Sequence, residues 1–526
     1  MKKILILIVM TMLAMPACTN LDETIFSQLP KEEFFNDESQ LKIYSARPYT
    51  LLQNWAVEQS MWTMVLQLGN EMAVPRSYNG SWTEPRYREL QTHRMQTNNK
   101  LIRTSWEFCF NVIAGCNDVI YEVEHNGQMN DAKKGIIAEM KTLRAYAYMM
   151  AVDCWGNVPY SVDKSQTGYP EMKDRVFMFD FIVKELKENI DYLPEKPSAT
   201  TYGKATRDMA RFLLAKMYLN AKVWIGQEMW AEAAEQCKAI MESGNYKLTN
   251  TYKENFAVHN EKSSESIFAI PYSTGITTSD RNAFYVWCFT LNADTEKIWN
   301  VSGTWNGSFI GQPDLMATYD PADKRKSDSW LFGQVYDLNG NPWKISIGVN
   351  RKGEPVYQDY ILEDINIDEE KYTKGLARKD GARIIKWEYQ TDGSQTGYSV
   401  SMENDFITMR YSDVVLMYVE CLIRQGKPGD AAAVPEFQQI RTRAGLAPMT
   451  ATELTLDNFL IERQHELCLE GWARQDLIRF GKYLDKWWCK DAGDEHELLL
   501  PIPEEMRGAN PNLVQNPGYS SPNDIE

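Results

Sequence analysis

Residues 207–244 read RDMARFLLAKMYLNAKVWIGQEMWAEAAEQCKAIMESG. Ala210, Leu213, Leu214, Met217, Tyr218 and Ala221 recur at steps of three and four, which places them on one face of a helix. Trp230, Ala233, Ala234, Cys237, Ile240 and Met241 form a second such stripe, and Gly244 follows where a helix-ending glycine belongs. Only Ile225-Gly226-Gln227 lies between the two stripes, so the segment predicts an antiparallel helical hairpin. Neither helix can bury its apolar stripe alone, and the rest of the chain must supply further helices for them to stack on.

The chain does so on both sides. Val414, Val415, Tyr418 and Leu422 make a stripe that stops at Gly426-Lys427-Pro428-Gly429, and a second helix leads from there to Ala444-Gly445. Further helical periods run over about 102–124, 131–154, 176–193 and 456–471. Paired helices with small residues at the crossings predict a mainly α protein, a tetratricopeptide-like scaffold of helical hairpins, although the full repeat signature is absent. The stretch from about 250 to 404 breaks this pattern. It is rich in Gly, Asn, Asp, Ser and Trp, with short β-like runs at 266–270 and 384–387. It reads as a loop-rich region with short strands carried by the helices, where long loops on a rigid scaffold are usually functional.

The first residues set the compartment. Met1-Lys2-Lys3 precedes an uncharged apolar run over 4–15 and then Pro16-Ala17-Cys18. The run is too short to span a bilayer, and a small residue stands at the cut point, as in a signal peptide. The tetrapeptide Met15-Pro16-Ala17-Cys18 resembles a bacterial lipobox, which implies lipid on Cys18 and attachment of the mature chain to a membrane. The expected organisation is a signal peptide over 1–17, a lipidated tether over 18–36, and one domain over 37–526. That domain divides into a helical part at about 37–250, the loop-rich part at about 250–404 and a second helical part at about 405–526.

The formal net charge of -16 argues against a nucleic-acid partner, which would need clustered Lys and Arg. Most of the 16 Trp and 27 Tyr belong to a core, and a protein built to stack flat ligands would show the same excess, so the count raises that idea without deciding it. Cys109, Cys116, Cys154, Cys237, Cys288, Cys421, Cys468 and Cys489 form no Cys-x-x-Cys pair, and several fall on apolar stripes, so they read as unpaired structural thiols.

Five segments, taken together, resemble the SusD/RagB family of outer-membrane nutrient-binding lipoproteins. Leu499-Leu500-Pro501-Ile502-Pro503 followed by Asn510-Pro511-Asn512-Leu513-Val514-Gln515-Asn516-Pro517-Gly518-Tyr519 is similar to the family's closing motif. Glu462-Arg463-Gln464-His465-Glu466, Leu469-Glu470-Gly471 and Asp476-Leu477-Ile478-Arg479 resemble a second, with His465 and Cys468 departing from the usual Arg and Ala. Arg410-Tyr411-Ser412-Asp413-Val414 resembles a third, and Arg144-Ala145-Tyr146 with Trp155-Gly156-Asn157-Val158-Pro159 a fourth and fifth. Most of these residues read as structural. Asp476 and Arg479 can pair on one turn, and Glu462, Arg463, Glu466 and Glu470 lie at helical spacing.

Signals for catalysis are weak. Neither His465-Glu466 nor His496-Glu497 is followed by the second histidine of a zinc site, and there is no phosphate-binding glycine loop and no serine elbow. No catalytic residue, metal or other cofactor is therefore expected. The resemblance implies non-covalent capture of a glycan at the cell surface and delivery to a SusC-type TonB-dependent transporter. A pyranose stacks its C–H face on an indole while its hydroxyls seek amides, so the expected platforms are loop aromatics. Trp82 with Asn79 stands in a loop similar to a family ligand loop, and Trp305 with Asn306 stands in a second. Tyr285 and Trp287 are further candidates. Trp106, Trp155, Trp224, Trp230, Trp472 and Trp487 fall to the core. Two alternatives remain open at this level: a surface glycoside hydrolase, and a binder of peptide or glycoprotein nutrients.

Overall fold

A computed structural model of the chain describes residues 34–57, 60–73, 85–195, 197–273, 294–300, 309–369, 379–391 and 403–520. Helices α1 (Glu38–Tyr44), α2 (Ala46–Leu52), α3 (Met61–Leu68) and α4 (Pro85–Gln91) lead into five longer ones. These are α5 (Lys100–His125), α6 (Asp131–Trp155), α7 (Arg175–Asn189), α8 (Arg207–Ile225) and α9 (Trp230–Glu242). Short helices α10 (Pro313–Thr318) and α11 (Lys324–Ser329) sit within the strand-bearing middle. Then follow α12 (Tyr411–Arg424), α13 (Pro428–Ala432), α14 (Pro435–Arg443), α15 (Leu456–Glu466), α16 (Ala473–Arg479) and α17 (Glu504–Ala509).

Local sequence fixes where the long helices begin. Asn99, Asn130, Asp174 and Thr206 each precede a helix, and each side chain accepts a first-turn backbone N–H, for example Asn130 Oδ1 from Lys133 N at 2.9 Å. Gly226 ends α8 in the left-handed region at φ +75°, which turns the chain into α9. Helices α5 to α9 pack in succession, each on the next, and α9 passes its free face to α12. The result is the predicted stack of helical hairpins, with one continuous apolar core running through it.

Polar side chains pin this stack at the family-like motifs. Arg144 of α6 reaches Asn117 Oδ1 on α5 at 2.6 Å and grips the Glu185 carboxylate on α7 through two nitrogens, all of it buried. Trp155 Nε1 donates to Pro501 O at 3.2 Å, and Leu500 N to Cys154 O at 2.8 Å. Asn516 Nδ2 donates to both Trp155 O and Leu500 O, and the Gln515 amide exchanges two bonds with the Ile502 backbone. The proline-rich closing motif thus binds through side-chain amides, because its prolines remove the backbone donors a strand would use.

Three boundaries differ from the sequence reading. The helix expected to run from 456 to 471 stops at Glu466, since Leu469 and Gly471 both take positive φ (+65° and +89°) and the chain turns. The helix expected over 176–193 gives way at Ile190 to a single 3₁₀ turn through Tyr192. Between Gly426 and Ala444 the chain forms two short helices rather than one, each opened by a proline at its first turn.

The strands are short and occur only as antiparallel pairs. They are β1 (Met72–Ala73), β2 (Val158–Pro159), β3 (Met172–Lys173), β4 (Ser266–Ile270), β5 (Ile310–Gly311), β6 (Trp330–Leu331) and β7 (Gly333–Gln334). The remainder are β8 (Lys344–Val349), β9 (Pro355–Asp359), β10 (Ile361–Leu362), β11 (Arg383–Ile384) and β12 (Phe406–Arg410). Strand β4 pairs with β12, so Ser266 faces Arg410 and Ile270 faces Phe406. In the run at 384–387, Ile384 pairs with Trp330 and Ile385 N–H donates to Ser329 O at 2.9 Å, after which Lys386 buries its ammonium on Glu470 Oε1 at 2.7 Å. Seven described cysteines are unpaired, six of them buried. No described helix is long and apolar enough to cross a membrane.

Candidate functional site

Cys18, Asn79, Trp82, Tyr285, Trp287, Trp305 and Asn306 all lie outside the described residues. What the structure places is the frame that brackets the ligand-loop candidates. Strand β1 ends at Ala73, just before the segment of Asn79 and Trp82, and β5 begins at Ile310, just after the segment of Trp305 and Asn306. The two strands pair directly, Met72 opposite Gly311 and Ala73 opposite Ile310. On the far side of the first segment, Tyr87 of α4 meets Phe309 edge to face, with ring centroids 5.4 Å apart. Both candidate loops therefore share one root. Tyr285 and Trp287 have separate roots: Tyr272 donates its N–H to Asp405 Oδ1 at 2.9 Å, and Asp294 O accepts Trp343 Nε1 at 2.7 Å.

The shared root is held from below. Ala73, Ile310, Ile367 and Trp488 form a small apolar cluster of their own. Trp488 is tied by its backbone N–H to Asp314 Oδ2 at 2.6 Å and by Nε1 to Ile367 O at 3.1 Å. Gly381 (φ +92°) passes so close that a Cβ there would stand 2.4 Å from Ile310 Cγ2. Sequence reading did not find Trp488, Gly381 or Ile367. They carry no periodic signal, and Trp487 and Trp488, though adjacent, enter different clusters.

Glu71 locks β1 to the scaffold. Its Oε1 accepts Leu469 N–H at 2.9 Å and its main-chain oxygen accepts Gln312 N–H at 3.1 Å. Complete burial pushes its carboxyl up to about 8, against the lowering effect of the Leu469 N–H, so it holds a proton at neutral pH. Beneath lies a buried lattice of opposite charges. Arg410 contacts Glu466 Oε1 at 2.8 Å, Glu470 Oε2 at 2.7 Å and Glu265 Oε2 at 3.2 Å. Arg325 joins Asp323, Glu462 and Glu466, while Arg463 and Arg479 share Asp476. Burial favours the neutral form of Glu466, but Arg443, Arg410 and Arg325 outweigh it and hold the carboxyl down at about 2. The sequence expectation that Asp476 and Arg479 pair is met at 2.7 Å. The helical relation expected among Glu462, Arg463, Glu466 and Glu470 does not extend to Glu470, which lies past the end of α15 and pairs with Arg410 and Lys386 instead.

Beside Ile367, a cavity of about 370 Å³ is lined by Gln358, Asp359, Glu363, Asn366, Lys379 and Asp380 among others. Amide, carboxylate and ammonium groups on such a wall suit a ligand rich in hydroxyls. Among the described residues, no group of three or more His, Cys, Asp or Glu is arranged to hold a metal ion. The two buried histidines are occupied structurally: His465 stacks on Tyr319 at 3.7 Å and faces Asp323, and His93 stacks on Tyr483 at 4.3 Å. The described residues form a packed base at the ends of the candidate segments.

Comparison with known proteins places the chain. The family model described as the SusD family matches residues 243–519. The chain belongs to the SusD family. A second family model, described as starch-binding and associating with the outer membrane, matches residues 41–210. The chain is 26% identical over 420 residues to the starch-binding protein SusD of Bacteroides thetaiotaomicron, covering 73% of this chain and 72% of that protein. It is 25% identical over 501 residues to a SusD-like protein of Bacteroides ovatus, covering 92% and 83%. Surface glycan-binding protein A of Bacteroides thetaiotaomicron, solved in complex with laminarihexaose, has the same fold: TM-score 0.69, 22% identity, 91% of this chain and 99% of that one. A laminarin-binding SusD-like protein superposes with TM-score 0.70 at 20% identity, covering 92% of this chain and 100% of that one. As a SusD-family member the chain carries the family's tetratricopeptide-like helical scaffold, and its motif residues are the ones found in the buried lattice and in the closing clasp.

Proposed function

We propose that this SusD-family chain captures an oligosaccharide or polysaccharide without making or breaking a bond. The observation that carries the reading is the pairing of β1 with β5, which roots the Trp82 segment and the Trp305 segment at one place. Two indole-bearing loops on one rigid base suit a carbohydrate, whose apolar C–H face stacks on the rings while Asn79 and Asn306 meet its hydroxyls. Tyr285 and Trp287 extend the platform from their separate roots. Relatives named for binding starch, laminarin and laminarihexaose support the ligand class. Lipid on Cys18 holds the domain at the outer membrane, facing outward, and a SusC-type TonB-dependent transporter beside it receives the glycan. Tethering raises the effective concentration of the captured ligand at that partner.

The test is affinity electrophoresis of the full chain in gels containing starch or laminarin. Retention is expected for the wild type and is abolished in the double variant Trp82→Ala with Trp305→Ala, with the circular dichroism unchanged. Undiminished retention of the double variant would overturn the platform. Chromatography of each polysaccharide after incubation separates binding from hydrolysis, since appearance of shorter oligosaccharides would identify an enzyme.

A further inference from the structure

A second cavity, of about 430 Å³, lies away from the β1–β5 root, between the turn that precedes α8 and the segment that follows α9. We propose that it is an ancillary site for one uncharged sugar unit, a mono- or disaccharide or the end of a glycan chain. The inference rests on the saccharide reading above for its ligand class, and on the chemistry of the cavity wall for everything else.

Two tyrosines shape it. Tyr246 is buried and stacks on Tyr411, with centroids 6.4 Å apart and planes at 25°, so its ring forms a fixed floor. Tyr202 is half-buried and is held by its hydroxyl, which donates to Asp405 Oδ2 at 2.6 Å. These rings supply the apolar surface a pyranose face needs.

The polar wall presents acceptors. Ser263 Oγ donates to Asn255 Oδ1 at 2.7 Å, and Ser264 Oγ donates to Lys247 O at 2.9 Å. Asn245 Nδ2 donates to Asp208 Oδ2 at 2.9 Å and to Glu195 O at 3.3 Å. With their donors engaged in the protein, these groups keep oxygen lone pairs for a ligand. A ligand that matches them is rich in O–H donors. Glu261 and Lys262, both exposed, stand together at the rim, so the mouth carries no net charge and selects neither anion nor cation. A donor-rich, uncharged molecule with an apolar face is a sugar. The volume lies at the lower end of the roughly 300–1,000 Å³ common for ligand pockets, which fits one or two rings rather than a chain.

Saturation-transfer NMR on the full chain tests this, with glucose, galactose, mannose, xylose, maltose and laminaribiose at millimolar concentration, and glucuronate as an anionic control. At least one neutral sugar is expected to receive transfer to its ring protons, with glucuronate weaker because its carboxylate brings acceptors to a wall of acceptors. Ala199→Trp and, separately, Lys262→Trp fill the mouth from exposed positions, and each is expected to reduce the transfer at least tenfold without changing the melting temperature. The Trp82→Ala/Trp305→Ala variant is expected to keep it. Absence of transfer from every neutral sugar overturns the proposal, as does transfer that survives both mouth-filling variants. Transfer that disappears in the platform variant assigns the sugar to the loops and also overturns it. Polysaccharide retention is read separately, so failure of the platform and failure of this pocket give different results.

Discussion

The helical scaffold and the frame that roots the candidate loops are stabilised in opposite ways. In the scaffold, Arg325, Arg410, Arg463 and Arg479 are buried with Asp323, Glu265, Glu466, Glu470 and Asp476 in a nearly solvent-free lattice that ties α11, β12, α15 and α16 together. The frame is built from two-residue strand pairs and a cluster of four apolar residues. Just beyond it Tyr336, Leu338, Ile347, Val349, Tyr357 and Ile361 are each more than half exposed. A buried charge lattice tolerates little change, because losing one partner strands the others without water. The frame's strands are buried too, yet each pairs over only two residues, so few backbone hydrogen bonds and a small apolar cluster hold them. The difference is physical: ion pairs hold the motif residues of the scaffold, while short strand pairs and apolar contacts hold the frame.

The contrast predicts a graded set of responses. Arg410→Ala takes one buried cation away from Glu265, Glu466 and Glu470 together, leaving them to Arg443, Arg325 and Lys386, and the expected destabilisation is about 3–5 kcal/mol by urea unfolding; a loss under 1 kcal/mol would mean the lattice is not what holds the scaffold. Gly381→Ala drives a Cβ into Ile310 at a left-handed φ and is expected to cost about 1–3 kcal/mol. Its larger effect should be on starch or laminarin retention, and an unchanged gel shift would detach the frame from binding. Trp488→Phe removes the Nε1 bond to Ile367 O and should cost about 1 kcal/mol, with hydrogen exchange rising around 309–311 and 367 but not in α5 or α6. The exposed pair of Lys184 and Glu188 on α7 sets the floor: Lys184→Ala should change stability by less than about 0.5 kcal/mol.

The two regions also respond to pH with opposite sign. Glu466 is held below its unfolded value, so its contribution is present above the ordinary carboxylate range and is lost as pH falls toward about 2. Glu71 is raised to about 8. Between its unfolded value and pH 8 the unfolded chain has released a proton that the folded chain keeps, so stability falls as pH rises through that window. Glu71→Gln mimics the protonated acid and should gain on the wild type across that range, by up to about 1.4 kcal/mol per pH unit, then level off above pH 8. Parallel stability curves for variant and wild type would show that Glu71 is ionised in the fold.

Much of the scaffold was legible in the sequence. The stripes at 210–221 and 230–241 and the break at Ile225-Gly226-Gln227 are local signals, because the period of apolar residues fixes which face of each helix must be buried. Family-like motifs named residues of the closing clasp and part of the charge lattice, Arg410, Glu462, Arg463, Glu466, Glu470, Asp476 and Arg479, but not Glu265, Asp323 or Arg325. Geometry among distant residues was not legible. Glu470 reads as the last turn of a helix, yet the positive φ of Leu469 takes it off that helix toward Arg410 of β12 and Lys386 just past β11, both far away in the chain. The pairing of Ala73 with Ile310, the approach of Gly381 to Ile310 and the separation of Trp487 from Trp488 follow from how the whole chain packs. Periodicity encodes which face of a helix is apolar; it does not encode which segments meet, because that is set by burial and by pairing of charges across hundreds of residues.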